Sequence, residues 1–201
     1  MRVLSIIDLL PTHSGWTKLP LGRIAPRVKE IGQPELEPLS VFLDQGVVPR
    51  SSRSDNHNEL GEDLAKYLVV RPGDIVFNKL RTWQGGLGVS KHLGIVSPAY
   101  YVCRPKPEVD GTYLHYLLRS APYLQELTRI SKWMPPSQFD ISWDQLRLVD
   151  ILLPDLLTQV NIAKELERQT EVIENQKLLL SLLIEKRTSV ITEFLFGENN
   201  K

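Results

Sequence analysis

A single cysteine, Cys103, is all the thiol chemistry in this 201-residue chain. One thiol closes no internal disulfide, so the fold must be held by packing, as suits a reducing compartment. Long apolar runs are absent as well. No stretch of 18 hydrophobic residues occurs, and the longest candidates are interrupted by Pro, Asp or Lys, which leaves no membrane-spanning helix to expect. The first ten residues, MRVLSIIDLL, hold one Arg and a short apolar stretch broken by Asp8, with no small-residue cleavage site behind it. A signal peptide is therefore not expected, and the chain reads as cytoplasmic. Excess charge is lacking too: 24 Lys and Arg balance 24 Asp and Glu. Zero net charge excludes the broad cationic field that drives non-specific nucleic-acid binding. Residues 1–150 carry 18 cations against 16 anions and residues 151–201 carry 6 against 8, so any anion-binding face is local.

Signatures of catalysis are missing in the same way. The glycine run GGLGVSK puts Ser90 where a phosphate-binding loop needs Gly before Lys, and no G-x-G-x-x-G follows a strand. Ser97-Pro98-Ala99-Tyr100 departs at its third residue from the Asx/Ser-Pro-Pro-Tyr loop of amino-methyltransferases, so the stretch reads as strand core. A metal-dependent nuclease wants an acid followed two residues later by Lys, and no Asp or Glu here has one at that spacing. His13, His57, His92 and His115 stand far apart without Cys or acidic partners at ligand spacing. Cys103 has no histidine partner and reads as a small apolar side chain. No catalytic residue, metal site or cofactor site is expected in this chain.

What is present is a core-forming composition, 42% hydrophobic and 24% charged, organised in two parts. Up to Pro154, short apolar runs alternate with turn chemistry: LSVFLD (39–44), KYLVV (66–70), DIVFN (74–78), GIVSPAYYVCRP (94–105) and LVDILLP (148–154). Gly, Pro and Asn punctuate them, which is a β-rich pattern. One helical stretch interrupts it, residues 110–130, which Pro122 splits into two pieces. After Pro154 there is no Gly or Pro until Gly197, so about forty residues are expected to form one helix. The expected fold is α+β: a β-rich domain over residues 1–153, then a single long coiled-coil-type helix over 154–201.

Heptads run through that helix. Leu166, Ile173, Leu180, Arg187 and Phe194 form one seam, and Ile162, Gln169, Gln176, Leu183 and Val190 form the other. Val172, Leu179, Ile184 and Ile191 widen the stripe. A helix of this length spans roughly 60 Å at 1.5 Å per residue. So long an apolar face needs a second long helix, and the chain contains no other. The simplest partner is the same helix of a second copy; the alternative is a helix folded back on its own domain. In a homodimer Ile162, Leu166, Ile173, Leu180, Leu183, Arg187 and Phe194 would carry the association.

Three polar segments look built for contact. Arg50-Ser-Ser-Arg-Ser-Asp-Asn-His-Asn58 supplies Arg50, Ser52, Arg53 and His57 with nothing apolar between them. Asn78 to Gly86 crowds Asn78, Lys79, Arg81, Trp83 and Gln84 ahead of a run of glycines. Ser131 to Phe139 offers Lys132, Ser137 and Gln138 around Pro135-Pro136. Such side chains pair with base edges and phosphate oxygens. Each segment alone also fits an ordinary solvated turn, and Trp83 fits a lid on the core with its indole N–H bonded to backbone.

PGDIVFNKLRTWQGGLGVSKHLGIVSPAYYVCRP (72–105) resembles the central block of a target recognition domain from the specificity subunit of Type I restriction-modification systems. Trp16-Thr17-Lys18-Leu19 and Leu21-Gly22-Arg23-Ile24 are similar to the opening of such a domain. Phe139, Asp140, Ile141, Leu146 and LVDILLP are similar to its close, and Gln159, Ile162, Ala163 and Leu166 to the start of its conserved helix. The resemblance implies a non-catalytic reader of double-stranded DNA. Two recognition domains held apart by antiparallel helices each read half of a split target. They position methyltransferase subunits, which bind S-adenosylmethionine, and through them a restriction subunit. A complete member has two domains and two helices; this chain has one of each, so the resemblance is to a half-length reader that pairs with another. It assigns Lys79 and Arg81 to phosphate, and Arg50, Ser52, Arg53, His57, Lys132 and Gln138 to base choice. Asn78 and Trp83 lie in a stretch that such domains share, which suits a structural part. Two other readings keep the same sequence: a silent or truncated recognition cassette, and a coiled-coil protein adaptor without DNA binding.

Overall fold

The computed structural model describes residues 15–53, 61, 63–134 and 138–196. Its contacts divide it into two compact units, residues 1–160 and 161–201. The first opens with β1 (Thr17–Pro20), a single-turn helix α1 (Leu21–Ile24) and β2 (Arg27–Val28). Strands β3 (Leu39–Phe42), β4 (Gly46–Pro49), β5 (Leu68–Val70), β6 (Ile75–Asn78), β7 (Leu87–Val89), β8 (Gly94–Val96) and β9 (Tyr100–Cys103) follow. Next come α2 (Gly111–Arg119), α3 (Ala121–Ile130), the hairpin of β10 (Lys132–Met134) with β11 (Gln138–Asp140), the short α4 (Trp143–Leu146) and β12 (Asp150–Leu153). Helix α5 spans Leu156–Phe196.

The centre is an antiparallel sheet in the order β2–β9–β6–β7. Ile75 of β6 lies opposite Val89 on one side and Cys103 on the other, and Ile75, Val76 and Phe77 are all 0% exposed. A strand paired on both edges and covered on both faces has to be a continuous apolar run. Val76 and Val102 of the sheet share a cluster with Leu39, Val41, Val47, Leu68, Val70 and Val96. These come from the β3–β4 hairpin and the β5–β8 pair, which single bridges Pro38–Ile95 and Val47–Ser90 hold in place.

The turn into β6 is fixed chemically. Asp74 N donates to Arg71 O at 3.0 Å and Gly73 sits at φ 90°, the type II geometry that Pro-Gly favours. The Asp74 carboxylate, 1% exposed, accepts from Arg71 N at 2.9 Å and from Arg104 Nε and Nη2 at 2.8 and 2.9 Å. One buried carboxylate thereby ties the start of β6 to the end of β9, with its bidentate partner half in water, where the desolvation cost is smaller. On the far side, β1 pairs with β12, joining the first described strand to the last. Tyr113 Oη donates to Leu152 O at 2.8 Å, while Tyr123 Oη donates to Asp150 O at 3.2 Å and accepts from Leu152 N at 3.0 Å. Two buried phenols thus pin α2 and α3 to β12; burial raises the Tyr123 pKa to about 12.

Three local expectations change. GIVSPAYYVCRP is two strands, because Ser97–Ala99 turn: Tyr100 N donates to Ser97 O at 3.1 Å and Ser97 Oγ accepts from Ala99 N at 3.3 Å. SPAY is therefore not strand core throughout. The helical stretch breaks at Ser120, and Pro122 lies in the first turn of α3, where its missing N–H costs nothing. The glycines after Gln84 do not make a loose loop: Leu87–Val89 is strand β7, paired with β6.

Helix α5 starts on an Asp cap. Asp155 accepts from Thr158 N at 3.0 Å and from Thr158 Oγ1 at 2.6 Å. Gln159, 0% exposed, donates to Pro154 O at 2.9 Å and Glu108 O at 3.2 Å and accepts from Asp110 N at 2.9 Å. Its buried amide is fully used. Within the second unit the side chains from Glu167 to Leu195 are exposed. Leu178, Leu179, Leu180, Leu182, Leu183 and Ile184 are each between 53% and 60% exposed in the single chain, an apolar surface that water does not favour.

His115 gives the fold a pH dependence. It sits on α2 with Nδ1 enclosed and unbonded among the described residues, and burial, then the Arg119 and Lys91 cations, lower its pKa to about 4. The unfolded chain takes up a proton near pH 6.5 that the fold refuses, so stability present above that pH is lost as pH falls towards 4. The expected loss is about 3 kcal/mol. Urea unfolding of wild type and His115→Leu should show their difference shift by that amount between pH 7 and 4; a constant difference contradicts it.

Candidate nucleic-acid interface

Strand β6 ends at Asn78, and the chain then makes a compact cap held by its own backbone. Asn78 Oδ1 accepts from Leu80 N at 3.1 Å, Arg81 N donates to Asn78 O at 3.0 Å, and Asn78 N donates to Gly86 O at 2.9 Å. Thr82, fully buried, donates its hydroxyl to Asn78 O at 2.6 Å. Residues Thr82–Gln84 form one tight helical turn that ends on Gly85 at φ 89°, a left-handed conformation that glycine accepts. A Cβ on Gly86 would stand 2.8 Å from both Cβ and O of Arg81. The first two glycines are there to fold the turn back into β7. Arg119 clamps it from α2–α3, donating to Gly85 O at 2.9 Å and Leu43 O at 2.5 Å.

This cap sorts its side chains. Trp83 is half-buried, donates Nε1 to Leu80 O at 3.1 Å, and packs at a tilt of 51° against Phe139 with ring centroids 4.8 Å apart. Phe139 in turn meets Trp133 at 5.0 Å. A row of three rings therefore joins the cap to the β10–β11 hairpin, two segments far apart in sequence. Lys79 Nζ donates to Pro98 O at 2.6 Å and lies 4.9 Å from the centre of the Tyr101 ring; burial, then Arg27, lower its pKa. Arg81 and Gln84 are exposed and have no side-chain bond among the described residues.

Arg50, Ser52 and Arg53 lie at the turn after β4. Ser52 Oγ donates to Pro49 O at 2.6 Å. Arg53 pairs with Asp44 at 2.7 Å and lies 4.3 Å from the centre of the Phe42 ring. Arg50 keeps its backbone on Pro38 O at 2.8 Å. Burial raises the pKa of the Tyr100 phenol, opposed by a backbone hydrogen bond at Val41 and by the Arg81 and Arg50 charges. Lys132 is exposed on β10 opposite Asp140, beside Trp133 at 49% and Met134 at 44% exposure. Gln138 lies in β11. His57 and Ser137 fall outside the described residues.

The residue types that sequence reasoning singled out thus divide by geometry. Asn78 and Trp83 are bound into the cap, Lys79 is partly engaged, and Arg81, Gln84 and Lys132 are presented to solvent. Exposed cations with an exposed Trp can meet phosphate and base faces. Sequence reasoning missed Arg119 and Arg27, because a clamp or a cation over Tyr101 depends on residues distant in the chain. Among the described residues no group of His, Cys, Asp and Glu could hold a metal ion, and no helix is long and apolar enough to cross a membrane. The buried Cys103 thiol is pushed far up by desolvation, which makes it inert.

No family model matches this chain, and no curated protein matches it. Solved structures do. The HsdS subunit from Thermoanaerobacter tengcongensis matches with a TM-score of 0.62 and 18% identity, over 92% of this chain and 49% of that one. A chain from a type I R-M system, solved for its complex assembly and conformational transition, matches with a TM-score of 0.59 and 19% identity, over 90% of this chain and 45% of its own. The S subunit of the Type-I restriction-modification system from M. genitalium matches with a TM-score of 0.59 and 16% identity, over 94% and 49%. The likeness is one of fold: strands first, then a long C-terminal helix. The chain spans about half the length of the chains it matches.

Trp83→Ala should destabilise the unit by about 2 kcal/mol, below the range for fully buried aromatics because the ring is half-exposed. Arg81→Ala and Gln84→Ala should each stay within about 0.5 kcal/mol of wild type. Urea unfolding checks both. A neutral Trp83→Ala would free that ring for contact and contradict its part in the ring row.

Proposed function

We propose that this chain is a DNA sequence-specificity subunit of a Type I restriction-modification system. It is a half-length subunit that pairs with a second copy through α5 to read a split target and position methyltransferase subunits. Its main support is the shared fold over 92% of this chain and 49% of the HsdS subunit from Thermoanaerobacter tengcongensis. One β-rich unit and one helix are what half of such a subunit supplies.

The exposed leucines of α5 fit the pairing. A 41-residue helix reaches about 60 Å, and its apolar stripe is uncovered in the single chain. A second copy laid against Ile162, Leu166, Ile173, Leu180, Leu183 and Phe194 would cover it, with Arg187 at the same seam. Two-fold pairing makes both half-sites the same sequence inverted, and helix length sets their separation. The subunit itself performs no chemistry. S-adenosylmethionine and methyl transfer belong to the methyltransferase partner, and cleavage to a restriction subunit reached through it.

Neutral charge suits this division of labour. Few phosphate contacts are needed from a subunit whose partners share the grip, and local loops do the reading. Arg81 takes phosphate because it is exposed and unpaired among the described residues, and Lys79, two residues before it, is assigned to phosphate with it. Arg50, Ser52, Arg53, His57, Lys132 and Gln138 serve base choice, with Gln84 and Ser137 near the duplex.

Two outcomes test this. In sedimentation the wild-type chain should run at about twice its 22.9 kDa mass, and Leu180→Lys with Leu183→Lys should run as a monomer. Arg81→Ala should weaken binding to every duplex sequence and flatten the log–log salt dependence by about one. A monomeric wild type would remove the pairing, and loss of a single base preference would move Arg81 to base reading.

A further inference from the structure

An open groove of about 470 Å³ runs between α1–β2 and α4, lined by Arg23, Arg27 and Arg147 together with Trp143 and Leu148. No carboxylate is among its walls. Three guanidiniums converging in a neutral chain are a notable local excess, and guanidinium carries its charge at every working pH. They are also poorly satisfied. Arg23 is exposed and bonds to nothing among the described residues. Arg27 Nε is enclosed with no acceptor, while its guanidinium lies 4.6 Å from the centre of the Tyr101 ring. The Arg147 side chain has one partner among the described residues, donating Nε to Asp144 Oδ1 at 3.1 Å.

The walls are built to stay in place. Leu21 N donates to Val149 O at 2.8 Å and Gly22 N to Arg147 O at 2.9 Å. A side chain on Gly22 would meet Arg147 Cβ at 2.8 Å, so only glycine lets α1 and the end of α4 come together. Trp143 lies against Tyr101, ring centroids 5.8 Å apart, and Tyr101 donates to Ile141 O at 3.2 Å. The same Tyr101 ring carries Lys79, the residue at the root of the cap, with Asp140 the nearby anion. Guanidiniums of this kind take phosphate oxygens bidentately, and an indole can lie against the sugar beside them.

We propose that this groove is a further phosphate-contact site, in which Arg23, Arg27 and Arg147 grip the backbone of duplex DNA beside the Lys79 element. It deepens, and rests on, the DNA-reading function proposed above. The grip is independent of sequence, since it touches no base edge in the groove.

The test uses the full chain, a labelled duplex of arbitrary sequence and a series of potassium chloride concentrations. Arg23→Gln with Arg147→Gln should bind about tenfold more weakly at low salt and flatten the log–log slope by about 2. Arg23→Lys with Arg147→Lys should keep most of the slope. Arg27 is left alone because it supports Tyr101. If the Gln pair melts below wild type, Arg23→Gln alone carries the test, with a slope change of about 1. Wild type binding while the groove variants match it, with Arg81→Ala weakened, overturns the groove and leaves the DNA-reading function standing. Wild type failing to bind duplex at low salt overturns both. Inorganic phosphate at constant ionic strength separates the ligand sources. If it raises the wild-type melting temperature but not that of the Gln pair, and duplex affinity is equal in both, the site serves free phosphate and the proposal fails.

Discussion

Strand β6 is paired on both edges and buried on both faces, and the outward-facing chemistry of the first unit hangs from its end. Its start is fixed by Asp74 between Arg71 and Arg104, and its last residue, Asn78, opens the cap that presents Arg81 and Gln84. The cap is rigid because backbone bonds, Thr82 and the Arg119 clamp hold it, not because its side chains bind one another. A contact surface built this way keeps its geometry while its exposed residues are free to differ. The function proposed above would use such a surface: a fixed frame and replaceable contacts.

The second constraint is the unpaired helix. Up to the buried Gln159 amide, α5 is tied by hydrogen bonds to Glu108, Asp110 and Pro154. From Glu167 to Leu195 its apolar side chains are exposed in the single chain, and the six between Leu178 and Ile184 occupy more than one side of the helix. Helical propensity alone does not sustain such a surface in water; tertiary or quaternary burial does. The chain spans about half the length of the solved chains that share its fold. Under the function proposed above, a second copy supplies that cover.

Much of this was legible in the sequence. The β-rich part and the long helix follow from period and punctuation, and the structure agrees on both. The resemblance over residues 72–105 pointed to the fold that the solved structures share. What was not legible depends on contacts between distant segments. Nothing near Trp83 announces that Phe139 will pack against it, and nothing near Gly85 announces that Arg119 will reach it. Strand β7 was hidden because Gly86 and Gly88 read as freedom, whereas Gly86 is required by the closeness of Arg81 and Gly88 by that of Gly46, 3.1 Å from where its Cβ would be. The Arg23–Arg27–Arg147 groove was equally hidden, its cations being spread over more than a hundred residues of a chain with no net charge.

A map of methylated adenines in the host genome, with the gene present and deleted, tests the central claim most directly. The account predicts that deletion erases one split motif whose two halves are the same sequence inverted. Two unlike halves would keep the specificity role and replace self-pairing with a different half-subunit. An unchanged map would contradict the account and leave a silent cassette or a protein adaptor in its place.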